Sequence, residues 1–311
     1  MRFAHRRPSL PNPQPLTPDP YDPDAVPLVI LPPHHRLPWR GFCIRATRSD
    51  GANVSTLAVI PARLGATRLP SKPLRLLGGV PLIIRVWERL SAMRVADEIV
   101  VATDAESVAD VCRHAGATVV ITSAAHPSGT DRVAEVSAMR AYAAHDIVVN
   151  VQGDEPYIPH AAVEGAAELV EHGGFEMATA AAPDDDAILA SPDVVKVVTD
   201  DARRALYFSR APIPFLRDRS DAAVRAALVR RHIGVYAYRR ATLARLVALP
   251  PHPLEISERL EQLRALAAGI AIGVAHVPRL AEGGIDTEED LALANARWPH
   301  EHPAHISQPQ S

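Results

Sequence analysis

"LAVIPARLGATRLPSKPL", residues 57–74, begins as a continuous apolar run and ends as a loop carrying only positive charge. Leu57 to Ile60 contain no polar residue, the pattern of a short strand buried on both faces. From Pro61 onward Arg63, Arg68 and Lys72 arrive with no acid among them, and Pro70 and Pro73 stiffen the segment. Three more short apolar runs repeat the beginning: "EIVVAT" (98–103), "ATVVIT" (117–122) and "DIVVNVQG" (146–153). Helical spacing fills the gaps in "PLIIRVWERLSAM" (81–93), "DAESVADVCRHAG" (104–116) and "TDRVAEVSAMRAYAAH" (130–145). Alternating strands and helices with fully apolar strands predict a doubly wound, mainly parallel α/β sheet covered on both faces. In such sheets ligands bind beyond the carboxyl ends of the strands, which is where the cationic loop lies.

After about residue 175 the rhythm loosens. "FEMATAAA", "DVVKVV", "RALYFSR" and "RHIGVYAYR" read as strands with longer polar connections. They are followed by a helix over "LEISERLEQLRALAAG" (254–269), a strand "IAIGVAHV" (270–277) and a last helix from Thr287. The pattern predicts one domain over 56–298 with a strand-rich insertion. Residues 1–55 hold eleven of the chain's 29 prolines and predict a disordered extension, with a second disordered tail at 299–311.

The 311 residues are 47% hydrophobic and 22% charged, with a formal net charge of -3. That near-neutral balance argues against a general nucleic-acid or membrane-surface binder. No apolar run approaches the roughly 18–20 residues that span a bilayer. Cys43 and Cys112 offer neither a disulfide framework nor zinc-ligand spacing, which fits a reducing cytoplasm.

The cationic loop can present backbone N–H groups and fixed charges to a polyphosphate, Arg68 as a planar fork and Lys72 as a point charge. It is not a Walker A loop, because G-x-x-x-x-G-K-[ST] is absent. In "VNVQGDEP" (149–156), Asp154 stands at another strand's carboxyl end, where a carboxylate suits Mg²⁺ shared with phosphate oxygens; Gly-Asp is also a common turn pair. In "GGIDTEEDL" (283–291), Thr287 and Asp290 form a capping box, which leaves Asp286 free as a second metal carboxylate. "HPSGTDR" (126–132) offers a small turn opening a helix, with Arg132 nearby, while Asp131 stabilises the helix start.

Further along, Arg210 in "ALYFSRAPIP" can bind a carboxylate bidentately, and His232 and Tyr236 share one strand face. In "LEQLR", Leu260 and Leu263 read as core contacts, leaving Glu261 and Gln262 to point elsewhere. The acidic run "PDDDA" (183–187) reads as a turn or helix start, and Asp104 as the N-cap of its helix.

Taken in order, "IPARLGATRLPSKPL", "IVVATD", "SGTDR", "VNVQGDEP", "ALYFSRAPIP", "RHIGVYAY", "PLEISERLEQLR" and "IDTEEDL" give residues 57–293 a specific likeness. The chain resembles the cytidylyltransferases that activate 3-deoxy-manno-octulosonate (Kdo), which have a Rossmann-like nucleotidyltransferase fold. The resemblance implies that Arg63, Arg68 and Lys72 hold the CTP triphosphate, with Pro61 and Ala62 beside it. It implies that Ser128, Gly129, Arg132 and Gln152 surround the nucleoside, and that Asp154 and Asp286 bind Mg²⁺. Arg210, His232, Tyr236, Glu261 and Gln262 would line the sugar-acid pocket, and the protein would be a homodimer. The implied reaction transfers CMP from CTP to Kdo for lipopolysaccharide biosynthesis. Two other readings compete: a related enzyme acting on another acidic sugar such as a sialic acid, and a non-catalytic nucleotide sensor. The full set of loop cations and metal carboxylates speaks against the sensor.

Overall fold

The computed structural model describes residues 54–65, 68–278 and 283–301, with side chains through Trp298. The proline-rich extension lies outside the described residues except for its last two positions, and so does nearly all of the 299–311 tail.

In chain order the elements are β1 (Thr56–Ala62), the small hairpin β2 (Leu76–Leu77) and β3 (Val80–Pro81), α1 (Leu82–Met93), β4 (Glu98–Thr103), α2 (Glu106–His114) and β5 (Thr118–Ile121). Then come α3 (Gly129–Ala138), β6 (Ile147–Val151), α4 (His160–Glu171) and β7 (Met177–Pro183). The insertion contributes β8 (Lys196–Thr199), β9 (Ala205–Ser209) and α5 (Ala222–Leu228). The chain closes with β10 (Arg230–Arg239), α6 (Arg240–Ala248), α7 (Pro253–Glu258), α8 (Gln262–Ala267), β11 (Ile272–His276) and α9 (Glu288–Glu301).

The main sheet has the order β11-β7-β10-β6-β1-β4-β5. β1 is parallel to β4 and β6, β4 to β5, and β11 to β7, whereas β10 runs antiparallel between β6 and β7. The mainly parallel expectation therefore holds, and the single reversal has a cause in connectivity. After β7 the chain makes the β8–β9–α5 excursion instead of a right-handed crossover, and β10 returns in the opposite sense. β8 pairs with both β9 and β10, which joins the excursion to the sheet.

Side chains of β1 alternate between two cores. Ala58 and Ile60 pack with α1, α2 and α4 on one face; Leu57 and Val59 pack with α3, α6 and α8 on the other. Both faces are dry, so neither set of positions can be polar, and this produces the continuous apolar strands.

Three local readings need correction. α4 goes unrecognised in the sequence because its buried face is built from Ala162, Val163, Ala166, Ala167 and Val170, small side chains that give a weak apolar stripe. The helix expected over 130–145 ends at Ala138, where Met139 turns extended before a short 3₁₀ turn. The helix expected over 254–269 is two, α7 and α8. Arg259 adopts left-handed φ 55° and closes α7 by donating its N–H to the Glu255 carbonyl.

A separate apolar cluster docks α9 onto the cationic loop. Leu69 from the loop and Leu77 from β2 meet Ile285, Leu291, Ala294 and Trp298. Gly78 sits at φ +56°, and a β-carbon there would come within 2.1 Å of the Trp298 indole. Arg85 stacks its guanidinium 4.5 Å from the Trp298 ring centroid while bonding the Leu77 and Gly78 carbonyls. Asn295 accepts from the Gly78 N–H at 2.9 Å and donates to the Leu76 carbonyl at 2.9 Å. Trp298→Ala is expected to cost about 3 kcal/mol of stability by leaving a cavity. Gly78→Ala should also destabilise, and the double variant should lose less than the sum, since Trp298→Ala removes the ring that the new β-carbon would strike. Urea unfolding of the three variants checks this.

Candidate active site

β1 and β6 lie side by side, and the loops leaving their carboxyl ends open into one cleft of about 310 Å³. On the β1 side the cleft is lined by Pro61, Ala62, Arg63, Arg68 and Lys72. Within the loop, Leu69 and Pro73 are buried; Arg68 beside them is exposed, whereas Lys72 between them is largely buried in the cleft. Ser71 takes a left-handed φ of 53°, and a 3₁₀ turn over Lys72–Leu74 follows. On the β6 side stand Gln152, Gly153 and Asp154. A β-carbon at Gly153 would come within 2.8 Å of the Pro61 carbonyl oxygen, so the closeness of the two strand ends demands glycine there.

Asp286 arrives from just before α9. Its placement follows from the helix cap: Thr287 Oγ1 accepts from the Asp290 N–H at 3.1 Å, and Asp290 accepts from the N–H groups of Asp286 and Thr287 at 3.0 and 2.9 Å. The Ile285 N–H donates to the Asp154 carbonyl at 2.9 Å, which sets the two carboxylates side by side. Between them lies Lys72, whose Nζ donates to Asp154 Oδ2 and Asp286 Oδ1 at 2.7 Å each. Arg68 reaches Asp286 Oδ2 at 3.0 Å. Burial alone would raise the Asp286 carboxyl; the bonds and charge from Lys72, helped by Arg68, outweigh it and hold it below the usual carboxylate range. Burial likewise works against the Lys72 ammonium, and Asp154 and Asp286 reverse the sign and raise its pKa. Next to them, Glu155 is pushed up to about 8 by burial and by the negative charge of Asp154 and Asp286. A carboxylate pair that already holds a cation is a site where a divalent ion can sit.

The third wall is the start of α3. Ser128 is its N-cap, accepting from the Asp131 N–H at 3.2 Å, and Gly129 packs against Pro61. Arg132 lines the cleft while buried, pairing with Asp104 at 3.1 Å and bonding Thr122 Oγ1. Asp104 is therefore not the N-cap of α2. That position is Ala105, which receives no side-chain cap, because the Asp104 carboxylate is drawn to a buried guanidinium instead. The acidic run near 183–187 turns into a 3₁₀ helix over Asp186–Ala190, and Asp184 pairs with Arg231 at 2.7 Å. The cleft also takes in His126, which opens the "HPSGTDR" motif and could have been included from its position there.

The residues assigned to a sugar acid are not in the lining of this cleft. His232 and Tyr236 do share one face of β10, their ring centroids 5.5 Å apart, with Phe208 edge-on to His232 at 5.2 Å. Glu261 reaches back to the α3 turn, accepting from Ser128 Oγ at 2.9 Å and Thr130 Oγ1 at 2.5 Å. Gln262 is buried, and its Nε2 has no hydrogen-bond partner among the described residues. Arg210 departs from expectation most clearly. Its Nε donates to the Glu258 carbonyl at 2.8 Å and its Nη1 to the Pro192 carbonyl at 2.8 Å, so part of its fork is spent on the backbone.

A model of the family described as cytidylyltransferase matches residues 57–272. A 3-deoxy-manno-octulosonate cytidylyltransferase of Gemmatimonas aurantiaca is 59% identical over 251 residues, covering 81% of this chain and 97% of the relative. The chain belongs to the 3-deoxy-manno-octulosonate cytidylyltransferase family. Its relative of that name in Psychrobacter cryohalolentis is 47% identical, over 78% of this chain and 94% of the relative. Among solved structures, a CMP:2-keto-3-deoxy-manno-octonic acid synthetase complexed with CTP superposes with TM-score 0.73 at 38% identity, covering 79% of this chain and 99% of that one. A 4-diphosphocytidyl-2C-methyl-D-erythritol synthase of Anaerococcus prevotii, 16% identical with TM-score 0.52, shares the fold.

In this cytidylyltransferase the desolvation of His232 pushes its pKa down from 6.5 to about 4. The folded state then binds fewer protons than the unfolded one between those values, so its contribution to stability is whole above about pH 6.5 and is lost as pH falls toward 4. Urea unfolding of wild type and His232→Asn should show a stability gap that is larger at pH 8 than at pH 5. A gap independent of pH would contradict the buried neutral imidazole.

Proposed function

We propose that this protein transfers CMP from CTP to the anomeric hydroxyl of Kdo, giving CMP-Kdo and pyrophosphate for lipopolysaccharide biosynthesis in the cytoplasm. The observation that carries the reading is Lys72, held between Asp154 and Asp286 at the floor of a cationic cleft. The names of the relatives and the CTP-bound structural neighbour support it.

In this reading Arg63, Arg68 and Lys72 take the triphosphate oxygens, and the α3 turn with Arg132 and Gln152 takes the nucleoside. The donor set fits Mg²⁺: two carboxylates from separate loops leave most coordination positions to phosphate oxygens and water. Asp154 and Asp286 would hold it, and the Lys72 ammonium stands where such charge is already favoured. When bound there, Mg²⁺ supplies positive charge against the charge that develops on the phosphoryl oxygens. The anomeric oxygen of Kdo attacks the α-phosphorus in line, its proton departs, and the α–β bridging P–O bond breaks to release pyrophosphate. The protein residues contribute by positioning and by compensating charge, as is usual in phosphoryl-type transfers. Arg210, His232, Tyr236, Glu261 and Gln262 form the sugar-acid side. Arg210, with Nε and Nη1 on backbone carbonyls, offers Nη2 to the acid carboxylate, and Gln262 brings a buried amide donor with no partner among the described residues.

A homodimer is part of the same proposal. Large exposed apolar side chains gather on the segment from β9 to α7: Leu206, Phe215, Val224, Leu228 and Ile256, with Phe215 82% exposed. A second copy covering them would remove that surface from water.

Pyrophosphate release from CTP should require both Kdo and Mg²⁺, with a sialic acid inactive in parallel. Asp154→Asn is expected to lower turnover at least about a hundredfold, roughly 2.7 kcal/mol in the barrier, without loss of fold. Near wild-type turnover in that variant would remove the metal assignment. Phe215→Glu should shift the molecular mass in light scattering from dimer toward monomer.

A further inference from the structure

Glu261 is reached by two hydroxyls that lie far from it in sequence. Ser128 Oγ, at the N-cap of α3, and Thr130 Oγ1, in its first turn, lie 2.9 and 2.5 Å from its two carboxylate oxygens. They are not equivalent donors. Ser128 Oγ carries one proton but faces two carboxylates, Asp131 at 2.7 Å and Glu261 at 2.9 Å, so its proton is shared between them. Thr130 is buried, and its contact to Glu261 is the shorter of the two. In the neighbouring strand β6, Asn150 Oδ1 accepts from Gln152 Nε2 at 3.3 Å. Among the described residues the remaining partner of Glu261 is Arg264 at 3.4 Å, a guanidinium already paired with Glu255 at 2.7 and 2.8 Å.

We propose that Thr130 is a positioning residue for the sugar-acid substrate, its hydroxyl fixing the Glu261 carboxylate in the orientation that receives the sugar. The proposal rests on the reading of Glu261 as a sugar-acid contact and extends it. A carboxylate side chain repels the carboxylate of an acidic sugar, so Glu261 addresses the hydroxyl-bearing part of the substrate. Accepting from sugar hydroxyls is directional, and a carboxylate free to rotate would lose that selectivity. Thr130 supplies the constraint from α3, an element outside the sugar-acid segments, which is why no motif in those segments reveals it.

The test compares Thr130→Ser, Thr130→Ala and Thr130→Val. Ser and Ala both lose the methyl, so their difference isolates the hydroxyl; Val keeps the volume. Thr130→Ala and Thr130→Val are expected to raise the KM for Kdo about tenfold, while Thr130→Ser stays near wild type. CTP affinity measured by calorimetry without sugar should change less than about twofold in all three, because the Ser128 cap is intact. Thermal melts establish folding, and the Ser–Ala comparison remains decisive should Val fail to fold. Equal KM values in Ser and Ala would overturn the proposal, and so would a loss divided evenly between CTP and Kdo, which marks a merely structural role. Glu261→Gln is measured alongside. If it leaves the KM for Kdo unchanged, the sugar-acid assignment of Glu261 itself is wrong; if it raises KM while Thr130→Ala does not, only Thr130 is excluded.

Discussion

One ammonium group joins the parts of this site. Lys72 binds Asp154, 82 residues away, and Asp286, 214 residues away, through contacts of 2.7 Å each. Two carboxylates side by side repel each other, and in a partly buried cleft the repulsion is weakly screened. The lysine offsets it. The backbone segments that carry the two carboxylates also have contacts of their own. The Ile285 N–H on the Asp154 carbonyl and the Thr287–Asp290 cap hold them independently of Lys72.

The fold serves this meeting point through its sheet order. β1 and β6 are neighbours, so the cationic loop and the "QGDEP" turn emerge together, and Gly153 allows their backbones to touch. α9 packs Trp298 into the space over Gly78 and thereby presents Asp286 and steadies the loop in one step. The insertion shapes the neighbouring part of the sheet. β10 is antiparallel because of it, and the reversal turns the His232–Tyr236–Tyr238 aromatic row along one face beside Asn150 and Gln152. Glu261 then links the start of α8 to the α3 turn.

Much of this was legible beforehand because it depends on short-range pattern. Fully apolar runs and helical spacing are local consequences of burial, and they revealed the mainly parallel sheet and its site-bearing edge. The Thr287–Asp290 cap was also local and appeared as read. Asp104 departs from its local pattern for the opposite reason. Its sequence context is that of a cap, but a buried guanidinium 28 residues later competes for the carboxylate and wins, since leaving Arg132 unpaired would cost more than leaving a helix end uncapped. α4 escaped notice because alanines bury well yet pattern weakly.

Local pattern alone carries the strand–helix alternation as far as β6, the concentration of positive charge after β1, and the family likeness borne by the motifs. The tertiary structure alone decided which of many acidic residues face that charge. It also decided that Arg210 spends part of its fork on the Glu258 and Pro192 carbonyls, and that Glu261 is held from α3 by Thr130. Such contacts join residues tens to hundreds of positions apart. Strand order and helix docking set which of them meet, and neither leaves a periodic trace in the chain.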